Sequence, residues 1–435
     1  MASGPKKIAV VGTGISGNVC SHFLSRHHQI DIYEAAGYIG GHAQTSTIEA
    51  YGREFDIDSG FMVFNYRTYP NFVKLMRSLG VRDQPSDMSF SVRSAQTGLE
   101  YCGSDLNTLF AQRRNLLRPG FLKMLLEILR FNRISPALIE SDDDEQSLGD
   151  YLRQESFSDE FVRHYLVPMG ASIWSARPDR FLEFPARFLV AFLKNHGLLQ
   201  ITDRPEWKTI AGRSKTYVDA LVREFRDRIR LNSPVQKIER HEDHVTLQVD
   251  GQPPQIYDEV VLATHADQSL QILADVTPVE RDVLGQFPYQ TNEAIVHTDR
   301  RLLPKRKLAW ASWNYHIPEK EGLPVALTYE LNRLQRLEAP GPICVTLNHS
   351  GAIDEQQIIK RFTYQHPVYS PGAIAAQRRW HEISGDRRTH FCGAYWGNGF
   401  HEDGVNSGMA VARQFGIDID ECVAASTKDL LPIAG

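Results

Sequence analysis

A chain of 435 residues has room for two domains with sizeable cores, and 42% hydrophobic with 23% charged residues is the balance of an ordinary globular protein. The formal charge of −5 is small for this length, which excludes a whole-molecule attraction to nucleic acid. Five cysteines without C-x-x-C spacing argue against a disulfide framework and for a reducing compartment. The charged N-terminus runs only into a strand-length apolar stretch, so no signal peptide is expected. No segment approaches the roughly 20 apolar residues of a membrane span. The expected location is cytoplasmic, with peripheral contact to a membrane surface left open.

The opening segment carries the clearest pattern. A strand, Ile8-Ala9-Val10-Val11, runs into the turn Gly12-Thr13-Gly14-Ile15-Ser16-Gly17. A helix through Leu24 and a second strand, Ile30 to Tyr33, follow, ending at Glu34. Gly12 permits the tight turn, Gly14 admits a pyrophosphate to the backbone, and Gly17 lets helix and strand pack closely. The helix N-terminus beside Ser16 holds the anion through unpaired N–H groups and its dipole. Glu34 is placed to accept from both ribose hydroxyls of an adenosine and would repel a 2′-phosphate, which disfavours NADP. A purely structural turn is the bland alternative. The strand, helix and acid around these glycines speak for a dinucleotide site.

A glycine doublet follows in Gly40-Gly41-His42-Ala43-Gln44-Thr45. Together with Glu34 it resembles the glutathione-reductase-like FAD fold in its amine-oxidase branch, the flavin amine oxidase superfamily. The family pattern has arginines where this chain has Tyr38 and His42. The resemblance implies noncovalent FAD held by Gly12, Gly14, Ser16, Gly17, Glu34, Gly40, Gly41, His42 and Thr45. It also implies an α/β fold: a discontinuous FAD-binding Rossmann domain (1–85, 205–265 and 390–435) and an α+β substrate domain of amine-oxidase type (86–204 and 266–389).

Further along, Ser46 to Asp58 alternates as a strand pair about Tyr51-Gly52. Gly60 and Phe61 match the family's flavin-facing turn, or belong to a hairpin with core aromatics. A helix is expected from Tyr69 to Leu79, stopped by Gly80. From Pro85 to Arg204 the pattern becomes largely helical. The acidic run Asp142-Asp143-Asp144-Glu145 reads as a solvated loop rather than a metal site, and no metal site is expected elsewhere.

In Pro119–Ile134, Lys123, Glu127 and Arg130 form a polar stripe on an otherwise apolar helix flanked by arginines. Such a helix either packs within the substrate domain and shows its stripe to water, the preferred reading, or lies in a lipid interface. Phe181 to Leu199 is either core or the lining of a long apolar cavity.

The strand and helix rhythm returns near Trp207, with Arg213 where the family usually has glycine. Val235 matches the position whose backbone reads the adenine. A hairpin is expected at Asp250-Gly251, and a buried strand ends at Thr264-His265. Aromatic strands are expected over Leu308 to His316 and Val325 to Tyr329. The basic loop Arg300 to Lys307 reads as solvated, or as a phosphate contact. Last comes a glycine-rich turn, Phe391 to Gly408, leading to a helix over Met409 to Phe415. The resemblance assigns Gly393, Gly404 and Val405 to the cofactor there. It places His401 beside the flavin, as a packing ring or as a proton carrier.

Several segments, among them Pro168 to Ser175 and Trp310 to Asn314, are similar to FAD proteins associated with cyclopropane fatty-acid synthases. That likeness implies an FAD oxidoreductase removing hydride from an apolar, lipid-like substrate, with a methyltransferase as a partner. No lysine stands near Asn292 to Val296, where many amine oxidases carry one over the flavin. Amine oxidation with oxygen is therefore the alternative, and a flavin-binding partner protein without catalysis is the third.

Overall fold

The computed structural model describes residues 4–141, 145–320, 322 and 324–418, so Asp142, Asp143, Asp144 and Cys422 lie outside the described residues. Strand Lys7–Val11 is central in a five-stranded parallel sheet, between Gln29–Tyr33 and Glu259–Leu262. Ile229–Arg230 and Thr389–Phe391 form its edges. Alternation of side chains along these strands sends each set to a different layer. Ile8, Val10, Ile30 and Ile32 pack under helices Ile15–Leu24 and His401–Gln414. Ala9, Val11, Val260 and Leu262 pack against the antiparallel meander Val235–Arg240, Val245–Val249 and Gln255–Tyr257. That meander turns at Gly251, as its sequence predicts.

A second, seven-stranded sheet runs Ile358–Pro367, Tyr289–His297, Cys344–Leu347, Ala326–Glu330, Trp313–Ile317, Phe90–Ser94 and Glu100–Cys102. Strands 90–94 and 100–102 correct the expectation of largely helical content after Pro85. Phe90–Ser94 pairs in parallel with Trp313–Ile317, a partner so distant in sequence that no local pattern announces it. The aromatic strand expected from Leu308 starts only at Trp313, because Lys307–Ala309 forms a 3-10 turn.

The helix Pro119–Ile134 forms with the predicted bounds but with a different outer face. Glu127 is buried, accepting hydrogen bonds from the Ser158 N–H and hydroxyl, while Arg130 pairs with Glu155. Leu122, Leu126 and Leu129, at i, i+4 and i+7, are exposed together with Lys123 and Arg133. The C-terminal helix begins at His401 rather than Met409. Gly404 and Gly408 are helical because this helix crosses Ile15–Leu24 at close range. A β-carbon on Gly404 would lie 2.5 Å from Ile15 Cγ2, and one on Gly408 2.5 Å from the Ser16 carbonyl oxygen. Among the described residues no helix is long and apolar enough to cross a membrane, and no cluster of acidic, histidine and cysteine side chains could hold a metal.

Candidate active site

A cavity of about 1440 Å³ reaches from the first glycine turn to the seven-stranded sheet. At one end the residues form a cradle for an anion. Gly12 has φ +103°, and a β-carbon there would sit 2.9 Å from the Ala263 carbonyl oxygen. Gly14, also on the wall, would place a β-carbon in open space, beside a helix with no side-chain cap at its N-terminus. The Gly40-Gly41 loop closes over it: Gly40 N–H donates to the Thr13 carbonyl, and a β-carbon on Gly41 would come within 3.1 Å of Gly14 Cα. Ser16 lines the same end. Glu34 is half-buried on the wall, accepting from the Thr13 N–H at 2.9 Å, its hydroxyl at 2.6 Å and the Ala36 N–H at 2.8 Å. A carboxylate has about four acceptor positions, so capacity remains for a ribose.

Val235 and Gly393 border this end, and Gly60, Phe61, His42 and His401 lie further in. Four expected cofactor contacts stand elsewhere. Gly17 packs the helix onto the turn, where a β-carbon would fall 2.1 Å from the Gly12 carbonyl oxygen. Thr45 gives its hydroxyl to the Asp58 carboxylate, which Ser214 also satisfies. Gly404 and Val405 belong to the helix crossing, where Val405 is fully buried in the apolar core. None of the four is on the cavity wall.

The middle of the cavity is ringed by imidazoles. The His42 ring lies 5.0 Å from Tyr364 and 5.5 Å from His366, centroid to centroid. Burial lowers its pKa to about 3, and its Nε2 has no protein partner. His366 meets the Asn292 amide at 2.9 Å and is lowered by burial to about 4. His265 stacks on Tyr289 at 4.2 Å and is shifted downward for the same reason. His401 stacks flat on Phe61, and its Nε2 lies 2.9 Å from the Tyr217 hydroxyl. Burial holds it well below the usual histidine range. All four are therefore neutral at pH 7. Tyr364 and His366 escaped the sequence reading; their signal is two aromatic rings at alternate positions of one strand.

Beyond this ring the wall is apolar. Tyr165, Met169 and Ile173 recur one helical turn apart, joined by Trp174, Phe192, Leu198, Trp313, Tyr329 and Leu347. The segment Phe181 to Leu199 thus serves both readings made of it: Phe181, Leu189 and Leu193 are core, while Phe192, His196 and Leu198 line the cavity. Trp174 Nε1 donates to the Asn398 carbonyl at 3.0 Å, tying this helix to the loop before His401. No lysine is on the wall; its ionic side chains are Glu34, Asp87, Arg204 and Glu206.

The family model for flavin-containing amine oxidoreductases matches residues 19–341, about three-quarters of the chain. The chain belongs to that family. It is an FAD-dependent oxidoreductase, with the expected Rossmann and amine-oxidase-type architecture. The fold is similar to putrescine oxidase in complex with putrescine, with TM-score 0.68 and 14% identity over 94% of this chain and 98% of that one. It is similar to cyclohexylamine oxidase from Brevibacterium oxydans IH-35A, with TM-score 0.68 and 16% identity over 94% and 98%. The CLA-producing fatty acid isomerase from P. acnes gives TM-score 0.69 and 14% identity over 96% and 100%. No curated protein matches the chain.

The residues present fit the cofactor of this family. The open space at Gly14 and the uncapped helix N-terminus are what a dinucleotide's diphosphate requires, and the free acceptor capacity of Glu34 is what its ribose requires. His42, where the family pattern has arginine, is a neutral ring here, so that position offers no cation to a diphosphate.

Proposed function

We propose that the substrate is a lipid-like chain, such as a fatty-acyl group, from which the enzyme removes hydride in a dehydrogenation or desaturation. The observation that carries this reading is the cavity's inner arm. It is lined by Tyr165, Met169, Ile173, Phe192 and Trp313, and the histidines that separate it from the cofactor end are neutral. A long apolar chain loses little by leaving water for such a wall, and each buried methylene contributes about 0.8 kcal/mol. Besides Glu34, the wall carries the carboxylates Asp87 and Glu206 and the guanidinium of Arg204.

Bound FAD would supply the hydride acceptor. Gly12, Gly14, Ser16, Glu34, Gly40, Gly41, Val235 and Gly393 would hold it, with Gly60 and Phe61 beside its ring. The apolar arm orients the chain and excludes water. A proton role for His401 would run through Nε2, which already shares a hydrogen bond with Tyr217. We assign residues 1–85, 205–265 and 390–435 to cofactor binding, and 86–204 with 266–389 to the substrate. A methyltransferase partner and a cytoplasmic, membrane-peripheral location belong to the same reading.

Amine oxidation is the second reading, favoured by family membership and by the two amine oxidases among the fold neighbours. The missing lysine weighs against it. Anaerobic titration of the yellow holoenzyme with fatty-acyl phospholipids and, separately, with a panel of amines discriminates the two. Bleaching of the flavin by the lipid alone is expected. Bleaching by amines with peroxide release in air would overturn the lipid reading.

A further inference from the structure

Thirteen large hydrophobic side chains are exposed among the described residues, and six of them are leucines between Leu106 and Leu129. That concentration is local, so general surface composition does not account for it. Leu117, in the turn before the helix Pro119–Ile134, is 87% exposed, and Leu126 is 68% exposed on that helix, whose opposite side already fills the core through Phe121, Met124 and Phe131. A helix apolar on both sides is expected inside a protein or against an apolar phase. Half of it here meets water.

Charge surrounds these leucines. Arg113, Arg114, Lys123 and Arg133 are exposed along the same segment. Arg113 reaches back to the carbonyls of Asn107 and Phe110, which holds helix Leu106–Leu109 beside the 3-10 turn Arg113–Leu117. From a remote part of the chain, the turn Lys307–Ala309 packs on helix Leu106–Leu109. It brings the exposed Lys305, Lys307 and Leu308 to the patch. The acids nearby are partly engaged: Asp105 caps helix Leu106–Leu109, Glu100 is buried and accepts from the Lys305 and Arg306 N–H groups, Glu127 and Glu155 pair with Lys123 and Arg130, and Asp159 and Glu160 stand on the helix packed against Pro119–Ile134. The cavity wall comes to the surface immediately before this helix, at the exposed Gly103 and Ser104.

We propose that this face docks on an anionic lipid bilayer, its leucines entering the acyl boundary and its basic residues meeting headgroup phosphates. The docked face sets the cavity mouth at Gly103 and Ser104 against the lipid. The docking itself is independent of what the enzyme oxidises, whereas its use in delivering substrate rests on the lipid-like reading above.

The test is co-sedimentation of the holoenzyme with extruded vesicles of phosphatidylcholine alone or mixed equally with phosphatidylglycerol. The wild type is expected to sediment with the mixed vesicles and to be released by high salt. The pair Leu117→Ser with Leu126→Ser, both exposed and so tolerated by the fold, should reduce the bound fraction at least tenfold. Lys305→Glu with Lys307→Glu should weaken binding to the mixed vesicles only. Wild type that stays in the supernatant, or a leucine pair that binds normally, overturns the proposal. So does a wild-type dimer in sedimentation velocity that the leucine pair abolishes, since the occupant is then a second copy. Flavin bleaching by a monomeric short-chain acyl ester, without vesicles, checks the substrate reading separately, and its outcome leaves the vesicle result intact.

Discussion

The imidazole of His401 lies on the ring of Phe61 with centroids 3.5 Å apart and planes 10° apart, while its Nε2 meets the Tyr217 hydroxyl. The ring is neutral at physiological pH, because burial lowers its pKa well below the ordinary value. The rate of flavin reduction should therefore show no limb near pH 6.5 from this residue. His401→Phe should keep the stack and the flavin, and lose rate only to the extent that the Tyr217 bond carries a proton. Stopped-flow reduction of the variant and wild type across pH 5.5–8.5 checks both expectations.

Acid should destabilise the fold from below about pH 6.5. Burial lowers His22, His196, His297, His316 and His366 to about 4 and His42 to about 3. These groups stay neutral in the folded chain while the unfolded chain takes up protons below about pH 6.5. Each costs up to about 1.4 kcal/mol per pH unit as pH falls towards the folded value. Asp58 and Asp403, raised by burial to about 6, act in the opposite direction between there and the usual carboxylate range. Six histidines outweigh two carboxylates. The unfolding midpoint should fall steadily from pH 7 to pH 4.5; a flat profile would refute the balance.

Gly14 and Gly17 should separate cofactor binding from folding. Gly14→Val adds a side chain to open space at the cradle, so the apoprotein should keep its Tm while FAD affinity drops at least tenfold. Gly17→Ala puts a methyl group 2.1 Å from the Gly12 carbonyl oxygen and should destabilise the apoprotein by several kcal/mol. Apoprotein melting and flavin titration of each variant give the comparison.

Arg213 holds φ +76° and ψ 171°, a region used almost only by glycine. Its Nε donates to the Asp56 carbonyl at 2.8 Å, an exposed bond of modest worth. Arg213→Gly should relieve strain of about 1–3 kcal/mol and lose about 1, a small net stabilisation. An increased urea midpoint at unchanged slope is the expected result, and a decreased one would show that the guanidinium matters more than the backbone.

Met169 and Ile173 stand one turn apart on the inner arm. Met169→Trp should fill part of the arm, abolish bleaching by long acyl chains and spare both flavin content and short substrates. Equal loss for every chain length would place the substrate elsewhere.

Local chemistry was readable from the chain wherever its physical partner is close in sequence. The first strand, turn and helix and the Tyr51-Gly52 hairpin depend on neighbours a few residues away, and they form as the pattern predicts. The start of the last helix was not readable, since Gly404 and Gly408 look like turn residues until the Ile15–Leu24 helix is laid across them. Glu127 reads as solvent-facing for the same reason: Ser158, which satisfies it, belongs to another helix terminus. Among site residues, His42 and His401 stand in recognisable motifs. Tyr364 and His366 enter through a strand whose register is set by Tyr289–His297.

The pairing of Lys7–Val11 with Glu259–Leu262, and of that strand with Thr389–Phe391, has a consequence during synthesis. The first strand made waits for a partner that the ribosome delivers only past the middle of the chain, and the sheet is complete only when residues 389–391 emerge. Until Glu259–Leu262 emerges, Lys7–Val11, paired only with Gln29–Tyr33, has one open edge, and from then until residues 389–391 emerge the open edge is that of Glu259–Leu262. A nascent chain halted before that point is an aggregation-prone ribbon rather than a half-built enzyme. Chaperone demand should peak late in translation, with release governed by the arrival of the two last strands.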